Sequence, residues 1–299
     1  MAQTARAVLR PDAGLTRVCV ADRVTLATKQ QSHTLDGSET NLVVYIDQQV
    51  GMGSFGQILR GQFLRNGQSV DVAVKASHVL EDLELYNVGD ADTLQTYLKT
   101  GVYAEINSLL LVHHPNIVKL VTVGMDQVYG VPYPRFIALS YCNFGTLQAW
   151  LDDGHPHEDD IDQCELAVFV EDFLTAMVFL HVDKNALHRD IKPANIFISN
   201  NFESPPRGTT TKKLVLGDLG SLKRLERETH VSGFGSPVYT APEVSANGCS
   251  KESDVFSMSL VLVEMCTKIR AYKTVLEERA PIIEEAIGKL PVAGYRTVS

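Results

Sequence analysis

The stretch from His188 to Asn195 constrains the fold of this chain more than any other. It reads HRDIKPAN, which places a carboxylate, two cations and a carboxamide within eight residues. A helical pattern precedes the stretch, and the apolar run from Ile196 to Ile198 predicts a strand directly after it. We therefore expect a loop held between two rigid elements, where several side chains can be directed at one point.

Three side chains of this loop suit phosphoryl transfer. Asp190 can orient a hydroxyl group and accept its proton, Lys192 can neutralise a phosphoryl oxygen, and Asn195 can bind a hard cation. A charged loop of this length is also compatible with a plain solvated turn. Other motifs in the chain are needed to decide between these two interpretations.

Further motifs flank the loop in a fixed order. On its carboxyl side, Asp218 follows the apolar run 214–216, and Gly220 and the sequence Ala-Pro-Glu at 241–243 come after it. On its amino side, Lys75 ends the sequence Val-Ala-Val-Lys. Before this lysine stand three closely spaced glycines, namely Gly51, Gly53 and Gly56.

In this order the motifs form the signature set of protein kinases, and the chain resembles a eukaryotic-type Ser/Thr protein kinase domain over residues 42–299. The resemblance implies a two-lobed α+β fold. The small lobe, an antiparallel sheet with one helix, is expected at about 42–139, the hinge at 140–143 and the mainly helical large lobe at 144–299. Residues 1–41 are interpreted as an N-terminal extension with one strand. Kinases have further helices at their carboxyl end, so we expect a truncated or abbreviated large lobe.

The glycine motif has a competing interpretation as a dinucleotide-binding fingerprint, which requires a helix directly after the last glycine. Here the apolar segment 58–63 is followed by Asn66-Gly67, a hairpin turn signal, and then by a second strand pattern at 70–76. The order strand, glycine loop, strand, turn, strand favours a phosphate-binding hairpin. Glycines there let backbone N–H groups approach phosphates closely.

The resemblance also implies the reaction and its cofactors, ATP and Mg²⁺. Asp190 would orient the acceptor hydroxyl and take its proton, and Lys192 would steady the transferring phosphate. Asn195 and Asp218 would hold Mg²⁺. Leu219 stands where the family usually has Phe, and it is expected to fill the same apolar slot between the lobes.

Nucleotide binding involves residues of both lobes. Lys75 would position the α- and β-phosphates and be held by Glu105, which lies on a predicted helix. The separation of these two residues is longer than usual, and we assign the excess to an insertion at 81–96. The ATP-binding residues implied by the resemblance are Gly51, Gly53, Ser54, Phe55, Gly56, Ile58, Ala73, Lys75, Leu139, Ser140, Cys142 and Phe197.

Arg189 suggests regulation, because a guanidinium cannot be neutralised by deprotonation and is costly to leave without a counter-charge near the site. In kinases with this arginine, a phosphorylated residue of the activation segment, here 218–243, often supplies that charge. Ser232 matches the usual primary phosphosite and Thr229 is its neighbour. Either an upstream kinase or autophosphorylation would add the phosphate.

The expected substrates are proteins with Ser or Thr acceptors. Lys192, two residues after Asp190, resembles Ser/Thr rather than Tyr kinases, and the Ala-Pro-Glu sequence favours proteins over small molecules. Thr146 and Ala194 stand where Arg-directed kinases have acids, so no dependence on upstream arginine is expected. Two other classes stay open: a kinase-fold scaffold or allosteric partner without turnover, and a small-molecule phosphotransferase.

Composition bounds the remaining functions. The net charge of −9 argues against wholesale nucleic-acid binding. Five scattered cysteines without a Cys-x-x-Cys pair argue against a disulfide framework or zinc site and favour a reducing compartment. No apolar run reaches the roughly 18 residues of a membrane span. A transit peptide at the amino terminus is the weaker alternative, so we expect the cytosol or nucleus.

Overall fold

The computed structural model describes residues 23–27, 41–53, 56–65, 67–76, 90–100, 102–153, 163–200, 212–225, 236–268 and 270. These residues form a small lobe, built on a curled sheet with two helices, and a mainly helical large lobe. The two-lobed α+β fold predicted from the sequence is therefore confirmed. None of the helices in these segments is both long and apolar enough to cross a membrane.

The described part of the small lobe contains six strands and two helices. The strands are β1 (Arg23–Ala27), β2 (Asn41–Gly53), β3 (Gly56–Arg65), β4 (Gln68–Ala76), β5 (Leu120–Val128) and β6 (Val131–Ser140). The helices are α1 (Ala91–Thr100) and α2 (Val102–Leu111). The sheet order is β1-β2-β3-β4-β6-β5, with β1 parallel to β2 and every other neighbouring pair antiparallel.

Side chains alternate between the two faces of β4, so one face of the strand packs in the core and the other faces the cleft. Val72 and Val74 are fully buried in the core of the sheet, together with Leu42 and Ala138. Since successive side chains of a strand point to opposite faces, Lys75 is presented on the other face. The predicted hairpin between β3 and β4 is confirmed by the cross-strand pairing on either side of its two-residue turn.

Strand β1 adds an edge to the small lobe from the N-terminal extension. Its residue Val24 reaches across to β5, where a Cβ on Gly124 would lie only 2.8 Å from the Val24 Cγ2 atom. The sheet is therefore curled so far that its first strand packs against its last. Gly124 permits this contact because it has no side chain.

The sequence interpretation did not foresee helix α1. It falls partly within the segment assigned to an insertion, at 81–96. Asp90 precedes the helix and accepts a hydrogen bond from the Thr93 backbone N–H at 2.8 Å, as a helix N-cap does. Leu94 and Leu98, one helical turn apart, are buried in the main core. The described part of this insertion is thus packed structure.

The large lobe contains four helices and four short strands within the described residues. The helices are α3 (Leu147–Asp153), α4 (Gln163–Val178, continued by a π-helical turn, Phe179–Asp183), α5 (Val244–Asn247) and α6 (Lys251–Thr267). The strands are β7 (Ala186–Leu187), β8 (Ile196–Ser199), β9 (Lys213–Leu216) and β10 (Lys223–Arg224). Two antiparallel pairs result, β7 with β10 and β8 with β9.

Helix α6 begins earlier than the apolar pattern from Ser253 predicts. Ser250 is the N-cap, and its Oγ accepts the Ser253 backbone N–H at 3.3 Å. The Ser253 hydroxyl in turn accepts the Ser250 N–H at 3.0 Å, which completes a capping box. The start is therefore set by reciprocal polar contacts. The sequence also predicts a short amphipathic helix at 281–290, because proline is tolerated in a first helical turn. These residues lie outside the described segments.

Candidate active site

The loop 188–195 folds its polar side chains around the carboxylate of Asp190. The Lys192 ammonium lies 2.8 Å from Asp190 Oδ2. Asn195 donates from its amide nitrogen to the same oxygen at 2.9 Å and to the Asp190 carbonyl at 2.8 Å. Lys192 and Asn195 therefore both contact Asp190, as expected for residues that act together.

Asp254, near the start of α6, fixes the backbone of this loop through hydrogen bonds. Its carboxylate is 2% exposed and accepts the backbone N–H groups of His188 at 2.7 Å and Arg189 at 2.9 Å. The His181 ring lies 2.9 Å from the same carboxylate. These contacts hold Arg189 at a φ of 70°, a left-handed conformation that costs a non-glycine residue about 1 kcal/mol or more. The sequence has no distinctive signal for Asp254, because an acid in the first turn of a helix is common.

His188 is a packed structural residue, as the sequence predicted. Its side chain is fully buried, and its ring nitrogen Nε2 lies 2.9 Å from the carbonyl oxygen of Gly217. Gly217 directly precedes Asp218 in the chain, and its N–H donates to the Asn195 carbonyl at 2.8 Å. The loop and the segment that carries Asp218 are thereby held together.

The electrostatic environment keeps Asp190 ionised. Burial alone would raise the pKa of this carboxyl group, but the hydrogen bond and charge of Lys192 and the hydrogen bond from Asn195 outweigh it. The pKa of Asp190 is consequently lower than usual. A carboxylate in this state can accept a hydrogen bond from a hydroxyl group across the neutral pH range.

Lys75 and Glu105 form a buried ion pair between β4 and α2. The Lys75 ammonium lies 2.7 Å from Glu105 Oε1, and both side chains are less than a tenth exposed. Burial raises the pKa of Glu105, and the lysine charge offsets part of this increase. The same ammonium lies 4.0 Å from Asp218 Oδ1. One cation of the small lobe thus faces a carboxylate of the large lobe.

Asp218 occupies a strained turn after β9. Its φ is 53°, and its carboxylate accepts the Gly220 N–H at 3.4 Å. Leu219 is 1% exposed and packs in the main core, so it fills an apolar slot as expected. The turn therefore directs Asp218 towards the cleft while the next side chain points into the core.

The donor atoms of Asn195 and Asp218 fit a magnesium ion. Because the Asn195 amide nitrogen donates to Asp190, its amide oxygen is the atom available to a cation. Together with the Asp218 carboxylate it provides hard oxygen ligands, and Mg²⁺ commonly takes only one or two carboxylates from a protein alongside phosphates and water. In the described segments no group of three or more His, Cys, Asp or Glu side chains could hold a metal ion by itself.

The glycine motif forms the tight end of a hairpin above this site. The cross-strand pairs here are Gly51 with Ile58, Gly53 with Gly56, Ile58 with Lys75, and Ala73 with Leu139. Ser54 and Phe55 lie outside the described residues. The predicted nucleotide-binding positions of the small lobe are therefore on adjacent strands.

The end of β6 and the residues after it connect the lobes. The Ser140 N–H donates to the Lys119 carbonyl at 2.9 Å, and its hydroxyl accepts the Lys119 N–H at 3.1 Å. Burial raises the pKa of the Cys142 thiol to about 12, which keeps it neutral. The Phe197 ring lies so close under Gly217 that a side chain there would collide with it. Leu139, Cys142 and Phe197 are each partly buried against the main core.

Ser236 brings the activation segment into the site. Its backbone N–H donates to Asp190 Oδ1 at 3.1 Å, and its hydroxyl lies 3.3 Å from the same oxygen. The Lys192 ammonium donates to this hydroxyl at 2.9 Å. The contact between Ser236 and Asp190 spans 46 residues, so the sequence has no local signal for it.

Of the predicted regulatory residues only Arg189 can be located. It is half-buried, and its Nε donates to the Ser221 carbonyl at 2.6 Å, so it already contacts the start of the activation segment. Thr229 and Ser232 lie outside the described residues.

Comparison with known proteins agrees with this geometry. The family model described as the protein kinase domain matches residues 44–290. The chain is 27% identical over 260 residues to Saccharomyces cerevisiae serine/threonine-protein kinase SSK22, covering 81% of this chain and 17% of the relative. It is 29% identical over 182 residues to Toxoplasma gondii serine/threonine-protein kinase Nek1, covering 56% and 11%.

The yeast MAP kinase kinase kinase SSK2 is a further relative, 28% identical over 272 residues, with 81% of this chain and 16% of the relative covered. The chain therefore spans less than a fifth of the length of these three relatives. Because the family model covers most of the chain, the fold and the motifs define it as a member of the protein kinase family.

Proposed function

We propose that this protein is an active kinase that transfers the γ-phosphoryl group of ATP to Ser or Thr hydroxyls of protein substrates. The observation that carries the proposal is the position of the Ser236 hydroxyl, which contacts both Asp190 and Lys192. A small aliphatic hydroxyl is thus accommodated by the two side chains assigned to the acceptor. The buried Lys75–Glu105 pair provides independent support on the nucleotide side.

In the proposed reaction the acceptor hydroxyl oxygen attacks the γ-phosphorus, and the bond from this phosphorus to the oxygen of ADP breaks. Asp190 orients the hydroxyl and takes its proton, and Lys192 stabilises the negative charge of the transferring group. Asn195 Oδ1 and Asp218 would hold Mg²⁺, which when bound neutralises charge on the phosphate oxygens. Positioning and charge stabilisation provide most of the catalysis.

ATP would bind between the lobes. Lys75, held by Glu105, would contact the α- and β-phosphates, and the glycine hairpin from Gly51 to Gly56 would cover them with backbone N–H groups. The adenine ring would lie between the faces that include Ala73 and Phe197, against the backbone of 139–142. Protein substrates would be met in the cytosol or nucleus, consistent with the scattered free thiols.

Phosphorylation of Ser232 or Thr229, by an upstream kinase or in cis, would regulate this site. A phosphate adds about −1.5 to −2 charge and three acceptor oxygens, enough to order the segment through a few charge-assisted bonds to Arg189. The test compares Ser232→Ala with wild type after incubation with Mg-ATP. Unchanged turnover, together with unmodified Ser232 and Thr229 by mass spectrometry, contradicts this regulation.

The proposed activity is tested by transfer of labelled γ-phosphate to a generic Ser/Thr substrate. Wild-type protein is expected to transfer, whereas Lys75→Met and Asp218→Ala abolish transfer, because each removes a group that handles the phosphates. The matched control is Lys119→Met, an exposed lysine that contacts Ser140 through backbone atoms, which the substitution keeps. Wild-type protein that binds ATP but transfers no more than Asp218→Ala is a scaffold, and the proposal is then wrong.

A further inference from the structure

Two carboxylates and one guanidinium meet next to the activation segment, at the junction of α3 and α6. Arg270 Nε lies 3.5 Å from Asp152 Oδ1, and Arg270 Nη1 lies 3.7 Å from Glu264 Oε2. Its Nη2 donates to Gln148 Oε1 at 3.0 Å and contacts the Tyr239 hydroxyl at 3.3 Å. We call these five residues the Arg270 cluster.

The cluster is connected directly to the reacting centre. The Tyr239 hydroxyl donates to both Glu264 oxygens, at 3.2 and 3.1 Å, and the Tyr239 N–H donates to the Ser236 carbonyl at 3.0 Å. Ser236 contacts Asp190. The segment from Ser236 to Tyr239 therefore connects the proposed catalytic carboxylate with the Arg270 cluster.

Burial within the cluster is graded. The Glu264 side chain is fully buried, that of Arg270 is 17% exposed and that of Asp152 is 42% exposed. The cluster thus has one carboxylate at its buried end and another at its exposed end, with the Arg270 guanidinium between them. A carboxylate removed from water needs a cation nearby, which Arg270 provides.

We infer that Arg270 is a specificity-determining residue: it occupies a cation-binding pocket beside the acceptor site and so prevents the pocket from accepting a basic side chain of the substrate. This inference rests on the proposed function. It gives a second reason why upstream arginine should not be required. Thr146 and Ala194 provide no acids, and the acids of the Arg270 cluster are already neutralised by Arg270. Substrates with neutral or acidic residues beside the acceptor are then used as well as basic ones.

The inference predicts a gain of function. In Arg270→Gln the carboxylates of Asp152 and Glu264 become available to a cation of the substrate. A peptide with Arg near its acceptor serine should then bind about tenfold more tightly than the same peptide with neutral citrulline. In wild type the two peptides should bind within about twofold of each other. Arg270→Lys restores a cation to the pocket and should return the ratio towards wild type.

The assay is fluorescence anisotropy of matched peptide pairs, with Arg or citrulline at each upstream position in turn. It needs no turnover, so a failed kinase assay leaves this result interpretable. Adding Asp152→Asn to Arg270→Gln should remove most of the gain, and raising the salt concentration should reduce it because exposed charge pairs are screened. Where turnover is measurable, the preference for the Arg peptide should appear as a lower KM for that peptide, with kcat unchanged.

A second variant covers the case in which Arg270→Gln does not fold because Glu264 stays charged and buried. Arg270→Gln combined with Glu264→Gln removes the buried pair as a unit and leaves Asp152 open, which should still give about a threefold preference for the Arg peptide. Thermal unfolding identifies which variants are native. An unchanged peptide ratio in a native variant, or a strong Arg preference in wild type, overturns the inference and leaves Arg270 as a structural brace.

Discussion

At the scale of single residues, buried carboxylates determine how the site is held. Asp254 accepts two backbone N–H groups of the catalytic loop and contacts the His181 ring, although it touches no reacting atom. Glu105 and Glu264 are likewise buried against cations, Lys75 and Arg270. These acids position the loops and helices that carry the chemistry.

Asp254→Asn should weaken this support without unfolding the lobe. The amide keeps one acceptor oxygen but loses its charge, and charge-assisted hydrogen bonds are worth about 1.5–3 kcal/mol each. We expect kcat to fall at least about tenfold while KM for ATP changes little, because Asp190 is displaced but the nucleotide contacts remain. Steady-state kinetics and a thermal melt measure this. Asp183→Asn, an exposed acid of the same lobe, is the control, and equal kcat values for both variants contradict the assigned role.

Asp172 on α4 should make stability depend on pH. Burial raises the pKa of Asp172 to about 6, even though its carboxylate accepts the Leu214 N–H at 2.9 Å. Because the folded-state pKa exceeds the unfolded one, the stability contributed by the protonated form is complete below about pH 4 and is lost as the pH rises through about 6.

Asp172→Asn should therefore be more stable than wild type by about 1–2 kcal/mol at neutral pH, allowing for partial exposure of the group. The difference should shrink as the pH falls and be nearly gone at about pH 4. Paired thermal unfolding of the two proteins across this range measures it. A difference that is constant with pH would show that the carboxyl group is not perturbed in the folded state.

At the scale of elements, the N-terminal strand β1 is the least expected contributor to the small lobe. It joins the sheet in parallel with β2, and Val24 packs against Gly124 on β5. The strand therefore bridges both ends of the curled sheet. Its loss would expose part of the core formed around Leu42 and Val44.

Val24→Asp should destabilise the protein by about 1–3 kcal/mol, because it places a carboxylate in a partly buried contact with the apolar core of the sheet. Leu26→Asp provides a control in the same strand, since Leu26 is 48% exposed and should tolerate a charge within about 0.5 kcal/mol. Chemical denaturation of both variants gives the two free energies. Equal effects on the free energy of unfolding would mean that β1 does not pack as described.

Elements with a local signal were predictable from the sequence, and elements defined by distant contacts were not. The β3–β4 hairpin, strand β8 and the helix carrying Glu105 follow from turn residues and apolar periodicity. Helix α1 was missed because its two buried leucines stand in an acidic context, and the start of α6 depends on a serine pair. Likewise the Lys75–Glu105 pairing followed from the family motifs, whereas the roles of Ser236, Asp254 and Arg270 arise only when remote segments meet.

At the scale of the whole molecule, the site belongs to neither lobe alone. The ammonium of Lys75 comes from the small lobe and the carboxylate of Asp218 from the large lobe, and the two lie 4.0 Å apart. Asp190 completes the arrangement from the loop below. The described geometry therefore brings charged groups of both lobes together at one cleft.

The central claim is that this arrangement catalyses transfer to aliphatic hydroxyls. The most direct measurement is transfer of labelled γ-phosphate from Mg-ATP to three peptides that differ only in a single Ser, Thr or Tyr. Wild type should phosphorylate the Ser and Thr peptides and not the Tyr peptide. Asp190→Asn should lower the rate by about 10²–10⁴-fold, the usual contribution of a positioned general base, while Asp92→Asn, an exposed acid on α1, should leave it unchanged. Transfer to Tyr alone, or equal rates for wild type and Asp190→Asn, would contradict the claim.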